Sequence, residues 1–213
     1  MRFEFLGPMV VWSDDGARVS VGGPKQRTVL AVLCLSPGEP VSADRIIDAV
    51  WGDPVPGRAR QVVQTYVSNL RRELDALVAF ESGTYTLVVD RSAVDWCRFT
   101  GLVESGDALP TVEAAAPYGE ALGLWRGAPF SGLEGHGVFD DAVAVLEAGR
   151  VRAEVGVVEA ELASGDAVAV MPRVELMVAA NEFDERVRGL HMRALYAAGR
   201  QRDALASFDG YRT

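Results

Sequence analysis

The chain has 213 residues, 49% hydrophobic and 24% charged, which excludes a disordered chain and allows one large domain or two small ones. Its longest apolar runs, such as VLAVLCL, are far shorter than the roughly 20 residues that cross a bilayer, and its start lacks a signal-peptide pattern. We therefore expect a soluble cytoplasmic protein without membrane contact. Cys34 and Cys97 lie far apart without metal-site spacing, so we expect reduced core cysteines, no disulfide, no metal and no cofactor.

The charge is distributed unevenly along the chain. The whole sequence holds 21 basic and 30 acidic side chains, but residues 1–92 hold 10 and 11 of them, so the acidic excess belongs to residues 93–213. Within the near-neutral first part, the stretch RARQVVQTYVSNLRRELDAL at residues 58–77 has four arginines and no carboxylate among its first fifteen residues. A local basic helix of this kind can contact phosphates even when the whole chain is acidic.

The first residues favour β-structure. Turn signals at Gly7-Pro8 and at residues 14–16 divide them, and we predict three short antiparallel strands near residues 2–6, 9–12 and 18–21.

Two helices are predicted next. Pro24 suits the first turn of a helix that ends before Pro37-Gly38. Ser42 is a suitable N-cap for the helix ADRIIDAVW, and Gly52 is expected to close that helix at its C-terminus.

The basic stretch is predicted to be the third helix, and a hairpin follows it. Its apolar stripe consists of Val63, Val67, Leu70, Leu74 and Leu77, so its polar side chains face solvent or a ligand. Two β-like runs meet around Ser82-Gly83, which predicts a compact hairpin. Three helices followed by a hairpin form a winged-helix order, in which the third helix can enter a major groove.

The pattern after Val94 is entirely helical, with breaks at Gly106, 127–137, Gly165, Asn181 and Gly199. The segment AELASG at 160–165 aligns with ALYAAG at 194–199, a spacing of 34 residues that is typical of tetratricopeptide repeats. The match covers only six positions and by itself leaves the repeat undecided.

Several collinear segments resemble the Streptomyces antibiotic regulatory protein (SARP) family of transcriptional activators. They include FEFLGPMVV, GGPKQRTVLAVLCLSPGEPVSADRIIDAVWGD, VQTYVSNLRREL, VDWCRFTGLV, EALGLWRGAPFSGL and FDERVRGLHMRALYAAGRQRDALASF. The resemblance implies an α+β, OmpR-type winged helix-turn-helix domain at 1–92. It implies an all-α, tetratricopeptide-like bacterial transcriptional activation domain at 93–213. The chain stops inside the predicted last helix, so we expect either a short chain or a trimmed C-terminus.

The resemblance also implies partners. Such activators bind double-stranded DNA at promoter direct repeats near antibiotic biosynthetic genes, recruit the RNA polymerase holoenzyme and use the helical domain for dimerisation or regulation. A homodimer is therefore expected. His136 and His191 lack partners at catalytic spacing, so we expect no enzyme activity.

Candidate DNA-binding residues follow from the polar side of the third helix and its neighbours. We predict Gln64, Thr65 and Ser68 as readers of base edges, with Gln61 and Asn69 beside them. We predict phosphate contacts by Arg58, Arg60, Arg71 and Arg72, further backbone contacts by Lys25 and Arg27, and wing contacts by Thr84 and Tyr85.

Two departures from the family pattern keep an alternative open. The wing reads GTYTL, with one residue more than the usual Gly-Tyr-x-Leu, and Asn69 replaces a basic residue that many relatives carry. The alternative is a protein-interaction scaffold whose winged helix has weak or lost DNA affinity.

Overall fold

The computed structural model describes residues 1–165, 167–181 and 183–211, with side chains described up to residue 207. Two compact units are present. Unit 1 contains Met1–Thr100 and Leu124–Ala148, and unit 2 contains Gly101–Gly123 and Gly149–Thr213. The predicted fold class, an α+β winged helix followed by an all-α helical region, is confirmed. None of the described helices is long and apolar enough to cross a membrane.

The strands and first helices belong to unit 1. In chain order they are β1 Arg2–Glu4, β2 Val10–Trp12, α1 Pro24–Cys34, β3 Val41–Ser42, α2 Ala43–Trp51, α3 Ala59–Glu73, β4 Val78–Glu81 and β5 Thr84–Leu87. β1 and β2 form an antiparallel pair, and the other three form an antiparallel sheet in the order β3-β5-β4. The sequence did not predict β3. The strand predicted at 18–21 is wrong, because only one isolated bridge, Trp12 to Arg18, forms there.

The ends of the first two helices agree with the capping residues in the sequence. Pro24 occupies the first turn of α1, the Ser42 hydroxyl accepts a hydrogen bond from the Arg45 N–H at 3.2 Å, and Gly52 ends α2 with φ 59°. These three predictions are confirmed. The third helix is shorter than predicted, since it ends at Glu73 and residues 75 and 76 have positive φ, so Leu77 does not belong to its stripe.

The segment after residue 123 completes the core of unit 1. The Phe130 N–H donates to the Phe5 carbonyl at 2.8 Å, and the Phe130 ring lies 4.8 Å from the Phe139 ring. Asp95 is buried and accepts hydrogen bonds from the Phe5 and Leu6 N–H groups. Unit 1 therefore takes in residues beyond 92, and the predicted boundary at 92/93 stays a prediction.

The remaining helices are α4 Asp95–Asp107, α5 Ala115–Gly123, α6 Asp140–Ala163, α7 Ala167–Ala180, α8 Glu185–Ala197 and α9 Gln201–Tyr211. The division between the units falls within α4 and within α6. The predicted break at Gly106 is displaced, because α4 continues to Asp107.

The 34-residue spacing reappears in the helices of unit 2. α7 begins at Ala167 and α9 at Gln201, and the glycines that precede them, Gly165 and Gly199, both have positive φ. Val158, Val170, Val174, Val187 and Leu190 form a continuous buried cluster from α6, α7 and α8. α7 packs against α8 and α8 packs against α9, and α6 contributes Val158 to the same core. The helices of unit 2 therefore bury their apolar faces against one another, as tetratricopeptide-like packing requires.

Candidate nucleic-acid interface

The orientation of α3 follows from its apolar stripe. Val63 and Leu70 are fully buried and Val67 is nearly so, and the helix packs through this side against α1 and α2. Burial of three large apolar side chains stabilises the helix by several kcal/mol, at about 1.5–3 kcal/mol each. The polar side of α3 is consequently turned outward.

That outward side is a single exposed stripe, which we call the reading face. It consists of Gln61, Gln64, Thr65, Ser68 and Arg72, at positions i, i+3, i+4, i+7 and i+11. The Thr65 hydroxyl donates to the Gln61 carbonyl at 3.1 Å, which satisfies the hydroxyl hydrogen within the helix. The side chains of Gln64 and Ser68 make no hydrogen bond within the described part of the chain, so their polar atoms are available to a ligand.

The four predicted phosphate-binding arginines differ in their partners. Arg60 is 2.5 Å from the Asp44 carboxylate, Arg71 donates from Nε to the Val78 carbonyl at 2.6 Å, and Arg72 is 3.2 Å from Glu73. Arg58 has no ion-pair partner among the residues that the structure describes. All four residues are exposed, so the ion pairs of Arg60 and Arg72 are weak and exchangeable.

Asn69 lies at the edge of the reading face and is only half exposed. Its amide donates to the Gln26 Oε1 at 3.2 Å, and Gln26 is buried in α1. The structure therefore gives Asn69 a contact that ties α3 to α1, and its predicted role at DNA has to compete with this bond. Gln26 is a residue that the sequence reading missed, because its partner is 43 positions away.

Lys25 and Arg27 are half-buried at the start of α1. The Lys25 ammonium lies 5.0 Å from the centre of the Trp51 ring, which stacks on Tyr66 at 6.5 Å. The Arg27 guanidinium donates to the Met9 carbonyl at 3.3 Å. Both cations thus have contacts inside unit 1, and neither belongs to the reading face.

The wing is the β4–β5 hairpin, whose turn residues Ser82 and Gly83 both have positive φ. The Thr84 hydroxyl donates back to the Glu81 carbonyl at 2.8 Å. Tyr85 is 3% exposed, and burial raises its pKa while Arg60 and Arg71 partly oppose that effect. The structure places Tyr85 in the core, away from the predicted DNA contact, because alternate residues of β5 point inward.

Two exposed residues of α2 matter for the charge of this surface. Asp44 pairs with Arg60 although the two are 16 positions apart, so spacing could not reveal it. Arg45 is exposed beside it in the first turn of α2 and has no ion-pair partner within the described ranges.

The described residues contain no group of three or more side chains that could hold a metal ion. Comparison with known proteins identifies two families instead. The model described as "Transcriptional regulatory protein, C terminal" matches residues 18–84, and the "Bacterial transcriptional activator domain" matches residues 94–213.

Relatives match over almost the whole chain. The regulatory protein AfsR of Streptomyces griseus is 33% identical over 98% of this chain, and DnrI of Streptomyces peucetius is 30% identical over 98%. The solved structure of Mycobacterium tuberculosis EmbR in complex with a low affinity phosphopeptide superposes with a TM-score of 0.89, at 31% identity over 99% of this chain.

The share of each relative that is covered differs widely. The chain spans 22% of AfsR and 58% of the EmbR chain, but 82% of DnrI. The activator-domain model alone covers more than half of the chain, and the winged-helix model covers the part that carries the reading face. The chain therefore belongs to the SARP family of transcriptional regulators, which join an OmpR-type winged helix to a bacterial transcriptional activator domain.

Proposed function

We propose that this chain binds promoter DNA through the reading face of α3 and activates transcription of an antibiotic biosynthetic gene cluster. One observation carries the proposal: the exposed stripe of α3 consists of amides, hydroxyls and an arginine without a carboxylate, on the third helix of a winged-helix unit. In this fold the third helix is the one that enters a major groove.

The side chains of the reading face suit distinct tasks. The free amide of Gln64 suits a bidentate contact with adenine, and Thr65 can offer its methyl group to a thymine methyl, because its hydroxyl hydrogen is already satisfied. Arg58 and Arg72 lie near the two ends of α3, where cations suit the phosphate backbone on either side of the groove.

The further steps rest on the family alone. They are binding to direct repeats as two protomers side by side, recruitment of the RNA polymerase holoenzyme, and action in the cytoplasm without any enzyme activity. Because the chain spans about a fifth of AfsR and over half of EmbR, these whole-protein activities are proposals for this chain.

The test is fluorescence anisotropy with a promoter fragment from the neighbourhood of the chain's own gene and a shuffled fragment of equal length. We expect tighter binding to the promoter and a steep loss of affinity with salt. Gln64→Ala should weaken promoter binding about tenfold and relax base preference, at 1–3 kcal/mol per bidentate contact. Gln201→Ala, an exposed glutamine of α9, is the matched control and should change neither.

A failure to bind any such fragment at low salt would contradict the proposal. Selection of bound sequences from a random DNA pool would then show whether another operator is used. An enriched motif would show that the chain recognises DNA at a different target. If no motif is enriched, sequence-specific DNA binding is contradicted.

Three observations favour the second candidate, a protein-interaction scaffold. Arg60 has the Asp44 carboxylate beside it, the wing at residues 78–87 contains no lysine or arginine, and the acidic excess lies in residues 93–213. A scaffold should keep a stoichiometric protein partner after nuclease treatment and bind no promoter fragment. Release of that partner by nuclease would rule against the scaffold.

A further inference from the structure

Unit 2 contains a groove between α4, α5, α6 and α8 that we call the α8 groove. Its volume is about 520 Å³, within the range of small-molecule sites. Its charged and phenolic lining consists of Asp107, Tyr118, Arg152, Glu159, Arg186 and Arg193. The proposed DNA recognition by unit 1 uses none of these residues.

Two of the three arginines in the α8 groove are held in place by carboxylates. Arg152 Nε lies 2.5 Å from Asp107, which also accepts a 2.7 Å hydrogen bond from the Tyr118 hydroxyl. Burial, together with Asp107, raises the pKa of Tyr118 to about 12, so the phenol keeps its proton at neutral pH. Arg193 is paired with Glu159. Each of these two guanidinium groups thus has a carboxylate beside it that offsets its charge.

The third arginine of the groove, Arg186, is different. Its side chain is exposed in the first turn of α8, and it forms no ion pair within the part of the chain that the structure describes. Among the described lining residues, three arginines therefore face two carboxylates, which leaves one positive charge, although residues 93–213 as a whole are strongly acidic. Guanidinium groups match carboxylate and phosphate groups geometrically, so this lining suits one anionic group.

Gly189 in the middle of α8 shapes one side of the groove. It lines the groove, its φ is not positive, and a Cβ built on it would meet no atom within 4 Å. A glycine inside a helix costs stability relative to alanine. Helical glycines with open space also occur at Gly101 and Gly119, but Gly189 is the one of these three that lines the groove. Gly156 in α6 differs, because a Cβ there would lie 2.2 Å from the Tyr118 ring. The bare backbone at Gly189 leaves room for a group that approaches α8.

We propose that the α8 groove binds a small organic anion. Its phosphate or carboxylate group pairs with Arg186, beside the carboxylate-paired guanidinium groups of Arg152 and Arg193. Its apolar body lies over Gly189 and Val155. This site goes beyond the proposed DNA recognition, and a failure of either leaves the other standing.

The test measures thermal unfolding of the full chain with phenyl phosphate or benzoate, two probes that share a ring and differ in the anion. Sodium chloride at matched ionic strength is the reference. We expect at least one probe to raise the Tm, and the better one identifies the anion class. Arg186→Ala should weaken that probe about tenfold, the loss of one charge-assisted contact. Arg202→Ala, an exposed arginine of α9 outside the groove, should leave it unchanged.

Gly189→Ala separates binding from folding. Because its Cβ meets nothing, we expect a higher Tm without probe and a probe-dependent shift that is reduced or lost. A variant that is more stable yet no longer responds cannot be explained by misfolding. The proposal is overturned if neither probe raises the Tm of the wild type. It is also overturned if Arg186→Ala and Arg202→Ala respond alike, or if Gly189→Ala keeps the full response.

Discussion

The reading face of unit 1 and the α8 groove of unit 2 both present arginines, but they hold them differently. On α3 the arginines lie on the outer surface of one helix, and their partners are exposed carboxylates or a backbone carbonyl. In the groove, Arg152 and Arg193 pair with carboxylates of other helices, and Arg186 has no ion-pair partner among the described residues. The first arrangement suits an extended polyanion, and the second suits a single anionic group.

The number of arginines alone therefore does not define an anion-binding site. The carboxylates that accompany them and the shape of the surface decide how much charge is available and over what length.

Gly156→Ala should destabilise unit 2 by about 3 kcal/mol, because the new methyl group would overlap the Tyr118 ring. Urea unfolding measures the loss. Gly189→Ala is the matched control in the same groove and should instead raise the free energy of unfolding, by up to about 1 kcal/mol. Equal effects of the two substitutions would contradict the difference between Gly156, which is packed against Tyr118, and Gly189, which has open space beside it.

Arg72→Ala should weaken DNA binding about tenfold at low salt, equally on promoter and random DNA, because a phosphate contact carries no sequence information. The slope of log affinity against log salt should become shallower by about 0.9. Anisotropy titrations at several salt concentrations measure both quantities. Arg202→Ala on α9 changes the net charge equally, so a similar loss in that variant would assign the effect to general electrostatics.

Asn69→Ala should lower the free energy of unfolding by about 1 kcal/mol, because the buried Gln26 amide loses its donor from α3. Chemical denaturation monitored by tryptophan fluorescence measures it. Ser68→Ala, one residue away and exposed without a partner within the described residues, should change stability little. If Ser68→Ala is the more damaging of the two, Asn69 does not connect α3 to α1.

Asp44→Ala should strengthen DNA binding severalfold, since it releases Arg60 and removes a carboxylate beside the reading face. Stability should change by less than about 1 kcal/mol, because the ion pair is exposed. Asp48→Ala removes an equal charge from an exposed position of the same helix and serves as the comparison. If Asp44→Ala and Asp48→Ala increase DNA affinity equally, the Arg60–Asp44 ion pair does not limit binding.

Local signals were sufficient for part of unit 1. The Ser42 cap, the Pro24 start, the Gly52 end and the turn at Ser82-Gly83 were predicted, because each depends on residues within one turn of chain. β3 was missed because its two residues form a strand only by pairing with Thr84 and Tyr85, more than forty positions later. The failed strand at 18–21 is the reverse case, in which β-forming residues find only one bridge.

The candidate interface also has one part that the sequence predicts and one part that it does not. The reading face follows from the 3.6-residue period, since Val63, Val67 and Leu70 had to be buried. The side-chain partners of Arg60, Asn69 and Lys25 did not follow, because Asp44, Gln26 and Trp51 come from other helices or other turns.

The family, the winged-helix order, the outward side of α3 and the 34-residue spacing of residues 160–199 could all be inferred from the amino-acid sequence. Periodicity, caps and collinear motifs are properties of neighbouring residues, so they can be read without a structure. Only the tertiary structure decided which cations are compensated, that Tyr85 is buried, and that Arg152, Arg186 and Arg193 line one groove. Coulombic and hydrogen-bond contacts act over a few ångströms, and the fold alone brings residues that are distant in the chain within that range.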